Sequence, residues 1–339
     1  MRRLLLLLVL IAGVLTPAIG TPPAYAGPSN APVTGLGIRL VDVPTATADD
    51  PRARSYIIDH LRPGRTIERR IEVVNDTNAS AEVSVYPAAA SVDSSGFVGA
   101  TGHAQNEASS WTSVTPKDLT LASRARAFVK VTINVPSQAV AGEAYAVVWA
   151  QMKTPPRAAT GVTQVSRVGI RQYLSIGPGG APPSDFKIVS LTASRNQQNQ
   201  PVVEASVRNS GQRALDLSGT LNLSNGPGGL SAGPFAIPVG TTLGIGGTEP
   251  VGVTLNQQIP NGPWLAKVTI TSGVTTRTTQ ATITFPDQPG TGSAVPGEAA
   301  LPSIWWLAAG GTLALLLLLL LARQLQRRRH QPDPTPGQL

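Results

Sequence analysis

The chain's 339 residues include 34 Gly, 30 Pro and only 14% charged residues, a composition with little helical character and a length that suits two domains. Its formal charge of +8 does not point to nucleic acid. Six of the 27 basic residues (Arg2, Arg3, Arg323, Arg327, Arg328 and Arg329) lie at the two ends with Asp333 as the only acid, leaving 21 basic against 18 acidic residues between them.

In chain order, Met1-Arg2-Arg3, the apolar run 4–15 and the small residues of Ala24-Tyr25-Ala26 have the layout of a signal peptide, 1–26, cleaved after Ala26. An exported chain without cysteine must hold its domains by core burial alone, which favours a bacterial envelope protein over an animal surface protein. Arginine far exceeds lysine and alanine is abundant, which suggests a high-GC Gram-positive source. After a Pro/Gly/Ser-rich lead, short period-2 runs alternate with turn signals. Strands are predicted over 37–43, 56–61, 66–75, 81–87, 119–121, 128–135, 143–151 and 165–176. The run 128–135 alternates most cleanly, with Val129, Val131, Ile133 and Val135 on one face; Arg69 interrupts the apolar side of 66–75. Eight or so strands without a helical period predict a β-sandwich over 35–176.

Residues 177–183 form a linker of Gly and Pro. Strands over 186–193, 201–209, 215–223, 234–239, 251–255, 264–272 and 275–285 then predict a second, immunoglobulin-like sandwich over 184–286. The two units echo each other. Val73-Val74-Asn75-Asp76-Thr77 parallels Val207-Arg208-Asn209-Ser210-Gly211, and Val135-Pro136 with Gly142-Glu143-Ala144-Tyr145 parallels Ile259-Pro260 with Gly262-Pro263-Trp264. Duplication and shared sandwich geometry both account for this. Residues 287–303 read as a Pro/Gly-rich stalk. The uncharged run 304–322 reads as a transmembrane helix of about 28 Å, flanked by Trp305 and Trp306 outside and by the basic cytoplasmic tail 323–339 inside. The expected fold class is therefore all-β: two tandem sandwiches followed by one C-terminal membrane helix. The expected location is the cell membrane, with both sandwiches extracellular.

Catalytic patterns are missing. There is no Gly-x-Ser-x-Gly elbow and no thiol; His60 and His103 lie far apart in sequence, and His330 falls in the tail. The sequence shows no zinc spacing, and its loop glycines have no following helix to cradle phosphate. Asp49-Asp50 and the Asp93-Ser94-Ser95-Gly96 turn are oxygen-rich, but ordinary Asx turns explain them better than calcium. Leu301-Pro302 lacks the residues of a sortase signal. No cofactor and no metal is expected. The segment most open to a binding role is 93–111 with Tyr86 before it: a long polar loop in which Tyr86, His103, Asn106 and Glu107 would contact a sugar or peptide and Trp111 would stack on it. A mobile loop beside a core tryptophan is the plainer alternative.

Pro63-Gly64, Val74-Asn75, the Gly96 turn, Trp111, the 129–135 strand, Val135-Pro136 and Gly142-Glu143-Ala144-Tyr145 together resemble the first, peptidoglycan-binding module of WxL-interacting cell-surface proteins, over roughly 35–151. The layout of signal, two sandwiches, short stalk and membrane helix is also similar to that family. The resemblance implies a non-catalytic surface protein that contacts peptidoglycan or another wall polymer, and a surface or membrane protein partner. Two features depart from it: Ala144 and Ala146 stand where paired glycines are common, and the second sandwich matches in architecture alone. The alternative is an interaction or assembly module that adds a partner strand to an exposed sheet edge, without wall binding.

Overall fold

The computed structural model describes residues 35–154 and 164–299. In chain order the strands of the first half are β1 (Leu36–Leu40), β2 (Ile57–Leu61), β3 (Thr66–Asn75), β4 (Ala81–Asp93), β5 (Gly96–Gly99), β6 (Thr112–Thr115), β7 (Asp118–Leu121), β8 (Arg126–Asn134), β9 (Gly142–Thr154) and β10 (Gln164–Ile176), with one short helix, α1 (Glu107–Ser110). They form two facing sheets, one ordered β1-β3-β8-β6 and the other β2-β10-β9-β4-β5, with β7 pairing β4 off that path. This partition is that of an immunoglobulin-type sandwich. Alternation drives it: Val129, Val131 and Ile133 of β8 are fully buried, while Phe128 on the opposite face stays exposed. They meet Ile71, Val73, Val85, Val148, Ile170 and Leu174 in one apolar core.

The second half carries β11 (Phe186–Arg195), β12 (Pro201–Asn209), β13 (Leu215–Ser224), β14 (Ala232–Leu243), β15 (Thr248–Thr254), β16 (Trp264–Ser272) and β17 (Thr275–Ile283), followed by three short bridges, β18 (Gly290–Thr291), β19 (Val295–Pro296) and β20 (Glu298–Ala299). One sheet runs β15-β12-β11-β18, with β19 also on β11, and the other β14-β13-β16-β17-β20. A second core gathers Phe186, Leu191, Val207, Leu217, Trp264, Ile270 and Phe285 between them.

The repeated asparagines occupy equivalent posts. Asn75 is fully buried at the end of β3; its amide donates to the carbonyls of Ala79 (2.8 Å), Leu121 (3.0 Å) and Ala122 (3.0 Å), and its Oδ1 accepts from the Thr77 N–H at 3.0 Å. Asn209 does the same at the end of β12, donating to Arg213 at 2.8 Å and Leu243 at 3.2 Å and accepting from the Gly211 N–H at 3.0 Å. In each sandwich one buried amide ties a turn to a distant strand end.

Two sequence expectations change. First, the stretch read as one long loop carries the end of β4, the strand β5 and the helix α1. β4 continues to Asp93, whose Oδ1 accepts from the Ser95 N–H at 2.7 Å, and Gly96 at φ 90° turns the chain into β5. The signal was faint because the buried residues there, Ala88 and Ala90, are too small to register as apolar alternation. The face of β3 that Arg69 interrupts is covered in part, with Ile67 and Arg69 half-buried, and Arg69 pairs there with Asp59 at 2.5 Å. Second, residues 290–299 are not a free stalk. They bridge to β11 at Ser190, Leu191, Ser194 and Arg195, and to β17 at Thr279 and Gln280. The signal peptide 1–26, the end of the stalk, the membrane helix 304–322 and the tail 323–339 lie outside the described residues. Among the described residues no helix is long and apolar enough to cross a membrane.

Candidate functional site

The structure separates the five sequence candidates. Tyr86 and His103 come together, their ring centroids 4.0 Å apart. They line a groove of about 490 Å³ with Ser84, Pro87, Gln105, Val114, Lys117, Asp118, Gln151 and Lys153. The groove follows from an incomplete edge. The outer side of β4 is covered by β7 at Ala81–Ser84 and by β5 at Ala90–Asp93, and single backbone bonds from Val85 to Lys117 (2.6 Å) and from Ala89 to Ala104 (2.7 Å) flank the gap. Pro87 sits in that gap, where a residue without an N–H leaves no donor unpaired, and Gln105 donates to its carbonyl at 3.0 Å. The Tyr86 hydroxyl donates to Gln151 Oε1 at 2.9 Å, which fixes the buried ring beneath the exposed His103. Two exposed ammonium groups against one carboxylate, an aromatic pair and two amides suit a polar ligand.

Of the other three candidates, two are engaged in the fold and one is exposed. Asn106 caps α1: its Oδ1 accepts from the Ser109 N–H at 2.9 Å, and its amide donates to Ala90 (3.1 Å) and Tyr145 (2.7 Å). Glu107 is an exposed first-turn residue of that helix, and Trp111 packs against the first core. The tryptophan that sequence reasoning missed is Trp149, on the outward face of β9. It lies over Gly169 and Gly99, where any Cβ would collide with its ring; Arg167 stacks on it at 4.7 Å, and its indole N–H donates to Ala100 at 3.1 Å. Two glycines opposite one tryptophan are a sequence signal only once the register of β9 and β10 is known.

A second feature is an uncovered strand. β9 pairs with β10 along its whole length, but β2 covers only Gln172–Ile176 on the other side. Among the described residues, 165–171 therefore have no backbone partner on their outer edge. Val165 is 52% exposed there and Gly169 is exposed, while Val168 and, on the facing β1, Ile38 are partly buried against the first core.

Where the two sandwiches meet, buried charged and polar groups gather around Asp216 and Glu143. Asp216 of β13 accepts from Thr242 (2.7 Å) and Tyr173 (3.1 Å), and lies 3.3 Å from Arg171 and 3.5 Å from Arg52. Arg52 also donates to Asp50 and to the Ala214 carbonyl, so the Asp49-Asp50 pair supplies an ion-pair partner rather than a calcium ligand. Glu143 accepts from the Tyr145 hydroxyl and the Ala214 N–H, both at 2.6 Å; burial pushes its carboxyl above the ordinary value, and burial with the Glu143 charge pushes the Tyr145 hydroxyl up as well. His60 Nδ1 lies 3.1 Å from Ser175 Oγ, but Ser175 is 3% exposed and closed to any substrate.

No family model and no curated protein matches the chain. Among solved structures, the chain is similar to the YadV chaperone (14% identity over 77% of this chain and 99% of that one, TM-score 0.38). It is likewise similar to the SafB chaperone in complex with the Salmonella enterica SafA pilin (11%, 71% and 92%, 0.37) and to the E. coli chaperone DraB (12%, 72% and 95%, 0.35). Likenesses this distant carry no conclusion about partner or activity.

Proposed function

We propose that this chain is a non-catalytic cell-envelope protein that binds another protein by strand addition at the outer edge of β10. The bare backbone of residues 165–171 carries the reading. In an antiparallel pair every second residue turns its N–H and C=O away from its neighbour, so this stretch offers a ladder already aligned for an incoming strand. Side chains of an added strand would alternate between solvent and the seam beside Val168 and Ile38. The signal-like N-terminus and the apolar run 304–322 support export and membrane anchoring, with both sandwiches outside. A photo-crosslinking residue at Val165 in cells tests the edge, with the exposed Val140 as control. One dominant protein adduct at 165, missing at 140, is expected; the same adducts at both positions would overturn the reading.

The groove beside Tyr86 and His103 favours a second reading, in which the same protein holds a wall polymer such as peptidoglycan. Retention on purified wall material that drops several-fold in Tyr86→Ala would support it. Retention unchanged by that substitution would remove the groove from consideration.

A further inference from the structure

The turn between β2 and β3 carries an unassigned feature on the opposite side of the first sandwich from the Tyr86 groove's edge strand. Arg62-Pro63-Gly64-Arg65 closes with the Arg65 N–H donating to the Arg62 carbonyl at 3.2 Å, and Gly64 takes φ 79°. Pro followed by a positive-φ Gly is the pattern of a type II turn, which holds its first and fourth residues within about 7 Å of each other at Cα. The turn is fastened from below: Gly64 donates to Val135 at 3.0 Å, and the Val135 N–H donates to Arg65 at 3.0 Å. The two arginines are thus brought together by backbone geometry, with no attraction between them to account for it.

They border a groove of about 390 Å³ lined by His60, Leu61, Arg62, Arg65, Ile67 and Gly179. No carboxylate lines it. Among the described residues neither Arg62 nor Arg65 has an ion pair or side-chain hydrogen bond, although other arginines of this sandwich do. Arg39 and Arg126 share Glu72, Arg69 holds Asp59, and Arg70 holds Asp42. His60 adds a third nitrogen-bearing side chain: among the described residues its Nε2 has no partner and is shielded from solvent, while Nδ1 is engaged with Ser175. The wall completing the groove is fixed as well, since the Gly177 N–H donates to the Leu61 carbonyl at 3.0 Å ahead of Gly179.

We infer that the β2–β3 turn is an oxyanion-binding site, taking a phosphate- or carboxylate-bearing ligand between Arg62 and Arg65. Guanidinium forks match the paired oxygens of either group, and two of them without a competing acid supply the charge. Ile67 and Leu61 give the groove an apolar floor on which the organic part of such a ligand would rest. The inference does not depend on strand addition at β10.

Calorimetric titration of the full chain with inorganic phosphate, and separately with acetate, tests it. Saturable one-to-one binding of at least one of the two is expected, weakened tenfold or more in the double variant Arg62→Gln, Arg65→Gln. Binding of phosphate alone assigns the site to phosphate-bearing ligands, and of acetate alone to carboxylates. The exposed Arg54 and Arg208, replaced together by Gln, should leave the affinity unchanged. Circular dichroism melts of both double variants confirm that folding is kept. Saturation by neither probe, or an equal loss in the Arg54/Arg208 variant, would overturn the site.

Discussion

Among the described residues, β10 of the first sandwich runs without an outer neighbour along 165–171; in the second, the rim between β11 and β17 is occupied by the chain's own residues 290–299. The interiors are alike, each with a buried asparagine closing a long strand (β3 or β12) and an X-Pro stop before an aromatic residue. Trp264 is fully buried and donates to the Pro260 carbonyl at 2.8 Å, whereas its counterpart Tyr145 faces the junction. Two scaffolds with the same fastenings thus differ in what they show at the rim. An uncovered edge strand invites pairing, and one closed by its own chain does not. On the proposed reading, partner contact falls to the first sandwich and spacing to the second.

The largest expected effect comes from the point where the two meet. Asp216→Ala removes the acceptor for Thr242 and Tyr173 and leaves Arg52 and Arg171 facing each other across a buried gap. A loss of about 3–5 kcal/mol is expected in urea melts of the full chain. A loss below 1 kcal/mol would mean the sandwiches are held otherwise. Next come the shared fastenings. Asn75→Ala removes bonds to three carbonyls, one N–H and one hydroxyl and should cost about 3 kcal/mol; Asn209→Ala removes bonds to two carbonyls and one N–H, which Asp185 still holds, and should cost about 2 kcal/mol. Both losses should appear as lower urea midpoints, and the reverse order would break the equivalence.

A smaller effect separates the rims. A Cβ on Gly297 would press into the Thr279 side chain. Gly297→Val should therefore lift residues 290–299 from their sheet edges at a cost of about 1 kcal/mol. With its rim bared, the second sandwich should self-associate in sedimentation experiments in a way the parent chain does not. A variant that stays as monodisperse as its parent would show that the bridges β18–β20 protect nothing.

Much of this was legible in the sequence, and the exceptions have physical causes. The bounds of β3, β12 and β16 follow from alternation of large apolar residues, and the Asn75/Asn209 correspondence stands in the sequence as a repeated motif. The extension of β4 did not, since Ala88 and Ala90 fill a close-packed sheet without looking apolar. The rim strand did not either: Gly292 and Gly297 read as linker, yet a Cβ on Gly292 would lie 2.7 Å from the Ala193 carbonyl, so the missing side chain is what admits the strand. Of the site, the Tyr86–His103 pair joins residues that sequence reasoning had already singled out. Trp149, the β10 edge and the Arg52–Asp216 contact depend on which strands become neighbours, and no local pattern records that.

The last test concerns pH at the junction. Burial raises the folded-state pKa of Glu143 above its ordinary value of 4.5, against the pull of the Tyr145 and Ala214 donors and of Arg213 and Arg52. A carboxyl raised in the folded state binds its proton more tightly there than in the unfolded chain. Its contribution to stability is therefore full below about pH 4.5 and lost as pH rises through the folded value. Both donors reach the same oxygen, Oε2, so a glutamine carbonyl placed there can accept from both without ever ionising. Glu143→Gln should match the parent chain at acidic pH and gain on it as pH rises towards neutrality, read from urea midpoints across that range. Asp59, also raised by burial, sits within the first sandwich away from this contact and contributes equally to both proteins. Parallel curves would mean that Glu143 is no more buried than an ordinary surface acid, and that the junction is open to water where the comparison of the two sandwiches requires it to be closed.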